Sequence, residues 1–92
     1  PNLAAAVARC LREHGLDHER GVAVTAVTDP SPAAHAGLRP GDVIVDFDGE
    51  PVQGIDDLYR LLSEERIGLV VPVGMLRRGQ MRRVRVVPAE VR

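Results

Sequence analysis

Ser31-Pro32-Ala33-Ala34-His35-Ala36-Gly37-Leu38, continuing Arg39-Pro40-Gly41-Asp42-Val43-Ile44, is the stretch on which the fold turns. A serine ahead of a proline and a run of small residues reads as a helix start. The hydroxyl accepts an orphan amide, and the proline occupies the first helical position, where its missing N–H costs nothing. Gly37 then supplies a left-handed exit. This predicts a helix of one to two turns. Pro40-Gly41 turns the chain into a strand over residues 42–48, with Val43, Val45 and Phe47 on one face and Ile44, Asp46 and Asp48 on the other, solvated one. Asp48-Gly49 is a turn, and Glu50-Pro51-Val52 is a short return strand whose proline confines it to an edge or a strand end.

Upstream, apolar residues at 3, 6, 7, 10 and 11 follow a helical period over residues 3–14, and Gly15 is the stop. Residues 21–28 alternate as a half-buried strand through Val22, Val24 and Ala26, with a phase slip at Val27 that predicts a bulge. Downstream, a helix starts at Asp56 or Asp57, with acids where the helix dipole favours them, and ends at Ile67-Gly68. Residues 69–76 and 81–87 read as two strands joined by Arg77-Arg78-Gly79-Gln80, with a break or bulge at Pro72. The class is α+β: a small, bent, mostly antiparallel sheet capped by two main helices and one short one. A chain of 92 residues is one domain.

Composition narrows the function. The net charge of −1 gives no pull toward nucleic acid or an anionic membrane, and one Phe, one Tyr and no Trp leave almost nothing to stack bases on. No apolar run approaches the roughly 20 residues of a membrane span. Charge is nevertheless segregated: residues 41–65 hold eight acids against Arg60, and residues 77–92 hold six arginines against Glu90. Two opposite-signed surfaces are the simplest reading. Cys10, His14 and His18 stand four apart, as zinc ligands on one helix face do, but Gly15 interrupts the helix. No metal and no cofactor are expected. Ser31 reads as a cap and Ser63 lies on a charged helix without a glycine-rich elbow, so no catalytic residue is expected either. Asp46 and Asp48 read as an exposed acidic strand face, and residues 37–41 lack the lysine and following helix of a phosphate loop.

The motif Ser31-Pro32-Ala33-Ala34-x-Ala36-Gly37-Leu38-x-x-Gly41-Asp42-x-Ile44, followed by Asp48-Gly49-x-x-Val52 and a leucine-rich helix, resembles PDZ domains of the bacterial type. It is most similar to those that follow the trypsin-like protease domain in the HtrA (high-temperature-requirement A) family. The resemblance implies a single, non-catalytic PDZ domain over 1–92, cut from a larger serine protease, that captures peptide or protein C-termini by adding a strand beside the second main helix. It would regulate the protease domain of the same parent chain, in the periplasm or cell envelope if the parent is typical. It also implies that the carboxylate-binding loop and first groove strand lie before Pro1. On the helical wall the resemblance assigns Asp57, Leu61 and Glu64 to the peptide, with Leu58 and Leu62 beneath them and partly in the core; Asp57 also reads as a helix cap. The edge of residues 21–28 is then open to a second copy, as a homodimer. The alternatives are a structural interdomain or oligomerisation element that packs its arginine-rich hairpin on a neighbour, and the PDZ domain of a C-terminal processing or site-2 envelope protease.

Overall fold

The computed structural model describes residues 3–18, 20–62 and 66–89, and within it the stretch from Ser31 to Ile44 folds as its residues dictate. Ser31 Oγ accepts the Ala34 N–H at 3.1 Å, Pro32 opens the helix α2, and Gly37 closes it at φ 89° with its own N–H donated to Ala34 O. Leu38 follows into the core, its N–H donating to Ala33 O. Eight elements result: α1 (Leu3–Glu13), β1 (Val22–Ala23), α2 (Pro32–Ala36), β2 (Val43–Phe47), β3 (Glu50–Pro51), α3 (Ile55–Leu61), β4 (Val71–Arg77) and β5 (Gln80–Val86). The sheet is antiparallel throughout in the order β1-β2-β4-β5, with β3 folded back onto the far end of β2. The α+β architecture is the expected one.

Three expectations change. The strand over residues 21–28 is only Val22–Ala23, although Val24 still exchanges hydrogen bonds with Gly41 and Asp42. It is short because its partner β2 begins at Val43, so beyond Val24 there is only a turn to pair with. The bulge lies neither at Val27 nor at Pro72 but in β2, where the register against β4 shifts between Ile44 and Asp46. Pro72 stays in a regular strand opposite Arg85; only its carbonyl is needed on the β2 side, where it accepts the Asp48 N–H at 2.8 Å. Finally, α3 ends at Leu61 rather than at Ile67-Gly68, and Glu64 lies outside the described residues.

The bulge explains the core. Val43 and Val45 face α1 with Val7, Leu11 and Leu76, whereas Ile44 and Phe47 face the opposite side with Leu38, Val73, Met75 and Leu61. Phe47 thus leaves the face it would share with Val43 and Val45 in an unbroken alternation. All five residues of β2 are buried, so the strand is covered on both sides rather than half-solvated. Asp46 is the consequence: its carboxylate turns inward, and Oδ1 accepts the Gly74 N–H at 3.0 Å, replacing a ladder bond that the bulge displaces. Gly74 leaves room for this, because a Cβ there would run into the Asp46 carboxylate and force it to shift.

Asp42 ties the loop after α2 to the end of β4. Its Oδ1 accepts Arg77 Nε at 2.9 Å, and its Oδ2 accepts Arg77 Nη2 and the Arg39 N–H, both at 2.8 Å. Arg77 Nη2 also reaches Gly37 O at 2.8 Å. The bonded Arg77 guanidinium holds the Asp42 carboxyl below its ordinary value of 3.8, outweighing the desolvation that pushes it up. A carboxylate depressed in the folded state contributes stability that is whole above pH 3.8 and is lost as pH falls through the lower folded value. Asp42→Asn is therefore expected to cost about 2 kcal/mol at neutral pH, kept modest by solvent on the Arg77 side. Urea melts of the two proteins should converge in acid, and a pH-independent gap between them would contradict this role.

Candidate functional site

The helix α3 begins at Gly54, which has no side chain to cap it. Asp57, three residues on, reaches back instead, and its Oδ2 accepts the Gln53 N–H at 3.0 Å. This is the capping role; its 3.9 Å approach to Arg60 is a solvated ion pair of little weight. One turn further in, Leu61 is 1% exposed and belongs to the core around Phe47 and Val73, with Leu58 packed partly buried against the same cluster. Leu62, by contrast, is 42% exposed.

Leu61 and Leu62 thus exchange the places that the sequence suggested. Successive residues on a helix are about 100° apart, and once Leu58 and Leu61 share the inner face Leu62 must turn outward. Leu61 is buried in the core, whereas Leu62 is exposed. The exposed face of α3 is an apolar stripe of Ile55, Tyr59 and Leu62, at i, i+4 and i+7, an uncommon arrangement for a solvated helix. Tyr59, 68% exposed, went unnoticed in the sequence, although the only tyrosine of the chain set in helical register with two aliphatic residues was a readable signal.

Beside this stripe opens an apolar cavity of about 490 Å³. Its walls are Leu58, Tyr59 and Leu62, its floor is Phe47, Val73 and Val86, and no charged residue lines it. Val22 and Val24 pack on the same cluster that forms the floor. Among the described residues β1 is paired only with β2, so its outer edge carries free main-chain donors and acceptors. The site therefore combines an apolar helical wall, a hydrophobic recess and a sheet edge.

The side chains weighed for chemistry are engaged elsewhere. Ser31 Oγ caps α2 and His35 Nδ1 bonds Ser31 O, while Ser63 lies outside the described residues. Cys10, His14 and His18 diverge: Cys10 approaches Gly79 O, His14 Nδ1 bonds Cys10 O at 2.7 Å, and His18 is buried with Nε2 2.7 Å from Val45 O. Among the described residues no three His, Cys, Asp or Glu side chains cluster as metal ligands. None of their helices is long and apolar enough to cross a membrane.

A family model described as the PDZ domain matches residues 13–87. The magnetosome formation protease MamE of Paramagnetospirillum magneticum is 41% identical over 73 residues, which are 79% of this chain and 10% of that protein. The periplasmic pH-dependent serine endoprotease DegQ of Escherichia coli is 34% identical over 71 residues, 77% of this chain and 16% of DegQ. The chain thus spans less than a fifth of these relatives. Among solved structures, the HtrA-type protease AlgW with a decapeptide superposes with a TM-score of 0.68 at 29% identity, covering 86% of this chain and 24% of AlgW.

Leu61→Ala and Leu62→Ala are expected to separate in thermal melts. The first empties a buried site and should cost about 2–5 kcal/mol, the second about 1 kcal/mol or less. Equal losses, or a greater one at Leu62, would place the helix in the other rotation.

Proposed function

The chain belongs to the PDZ domain family, in the branch carried by HtrA-like serine proteases, and from that premise we propose that it captures extended polypeptide, C-termini above all, in the groove beside α3. It is a PDZ domain and not a catalytic domain, and proteolysis belongs to other parts of such a protein. The observation that supports capture is the pairing of an exposed apolar helix face with an open cavity and a free sheet edge. Ile55, Tyr59 and Leu62 present the face, and the recess that Leu58, Tyr59 and Leu62 share with Phe47 takes an apolar side chain. Main-chain pairing supplies affinity, and the recess supplies selection.

A complete groove needs a strand between β1 and α3. In this reading that strand, with the amide loop that holds a terminal carboxylate, is supplied from outside residues 1–92. Asp57, at the start of α3 and outside the cavity lining, has its carboxylate engaged by the Gln53 N–H and would meet a ligand only at the rim, and Glu64 would extend the wall. The ligand signal would pass to a protease domain on the same parent chain. Without the added strand, the edge of the short strand β1, Val22–Ala23, is free to pair with a second copy.

Phage display of C-terminal peptides on a chain extended upstream by its natural residues, followed by fluorescence anisotropy, tests the reading. Apolar-ended peptides should be enriched, and Tyr59→Ala with Leu62→Ala should weaken them at least about tenfold. Residues 1–92 alone should bind feebly and dimerise with concentration in sedimentation. If the extended chain enriches no peptide, the interdomain-packing alternative takes its place.

A further inference from the structure

At the opposite end of the β4–β5 hairpin from the peptide groove, four arginines converge. Arg39, Arg77, Arg78 and Arg82, with Gln80, line a cleft of about 440 Å³ that contains no apolar, aromatic or acidic side chain. Arg77 is neutralised by Asp42. Among the described residues no carboxylate lies within ion-pair distance of Arg39, Arg78 or Arg82; the Asp42 carboxylate bound to Arg77 also feels the charge of Arg39, so the arginines of the cleft outnumber the carboxylates beside them. Like charges gathered this way repel, and a protein that spaces arginines for stability alone pairs or spreads them.

The backbone holds the cleft in shape. Arg78 and Gly79 both have positive φ, 52° and 77°, which makes the hairpin a primed two-residue turn and fixes where Arg78 leaves the strand. Arg39 sits on the loop clamped by Asp42, which accepts its N–H at 2.8 Å. Arg82 donates to Gln80 Oε1 at 3.3 Å, steadying its guanidinium from the β5 side. The arginines therefore arise from three tethered positions rather than from one mobile tail.

We infer that this cleft binds a compact multivalent oxyanion of the phosphate class, with pyrophosphate as its simplest form. Three guanidinium forks around one small volume call for at least two negative charges within a few ångströms and for oxygens in several directions, which a phosphate group offers and a single carboxylate does not. Nucleic acid fits poorly, since the cleft has no aromatic platform for a base. The site shares no residue with the peptide groove and stands whether or not that groove takes peptide.

The test is a titration of the ¹⁵N-labelled chain with pyrophosphate, repeated with phosphatidylcholine vesicles doped with phosphatidic acid. Pyrophosphate should shift the amides of Arg39, Arg78, Gly79 and Gln80 saturably, and added salt should weaken it. Arg39→Gln, Arg78→Gln and Arg82→Gln together should lower affinity at least about tenfold, whereas Arg83→Gln with Arg85→Gln, also on β5, should change it by about twofold or less. Each variant is first checked for native amide dispersion. Binding of both free pyrophosphate and the vesicles would mean the phosphate group itself is read. No saturable shift, equal losses in the two variants, or binding to vesicles alone would each overturn the inference.

Discussion

Asp42 is the joint on which the other contacts depend. Its carboxylate receives two bonds from one arginine and one from the backbone of Arg39, and that same arginine continues to the carbonyl of Gly37. One buried anion thereby fixes the exit of α2, the entry of β2 and the end of β4. A bidentate fork of this kind has little freedom in angle, which suits a position where three segments must keep their orientation. Leu38 enters the core from the same loop, so its seating in the hydrophobic cluster follows from the joint rather than from hydrophobicity alone.

A second constraint is the bulge in β2. It lets one five-residue strand serve two cores, with Val43 and Val45 toward α1 and Ile44 and Phe47 toward α2 and α3. Without it Phe47 would turn toward α1, and the recess beside α3 would lose its floor. The displaced ladder bond is restored by Asp46, and Gly74 leaves the room for that carboxylate. A polar side chain buried in a strand is thus part of what shapes the apolar site.

Local chemistry made α2, its two caps, the β4–β5 hairpin and α1 legible, since each is announced by residues adjacent in the chain. Ser31, Pro32 and Gly37 each have one physical use in that order. The bulge was not legible because its signal is distributed: the register of β2 is decided by pairing with β4, roughly thirty residues away. Likewise Leu58, Leu61 and Leu62 on a seven-residue helix fit two rotations, and only the position of the sheet selects the one with Leu61 inside. The helix was therefore recognised from its sequence while the inward and outward places of Leu61 and Leu62 were exchanged. Asp46 was read as solvated for a related reason, because alternation alone cannot tell a covered polar face from an exposed one.

The acidic and basic segments of the sequence resolve into unlike environments. On the acidic side, Arg66 lies 3.3 Å from both Asp48 and Glu50, so part of that charge is balanced locally. At the hairpin tip the balance stops with Arg77, and Arg78 and Arg82 go without a carboxylate partner among the described residues. Strand β4 links this end to the other, for Val73 floors the apolar recess and Arg77 lines the basic cleft. Four residues of strand set them about 13 Å apart along the chain. Both ends of a strand that is paired on two sides can be occupied together without a steric conflict. Between them lie the Asp42–Arg77 joint and the core that Leu38 enters, both held by buried contacts.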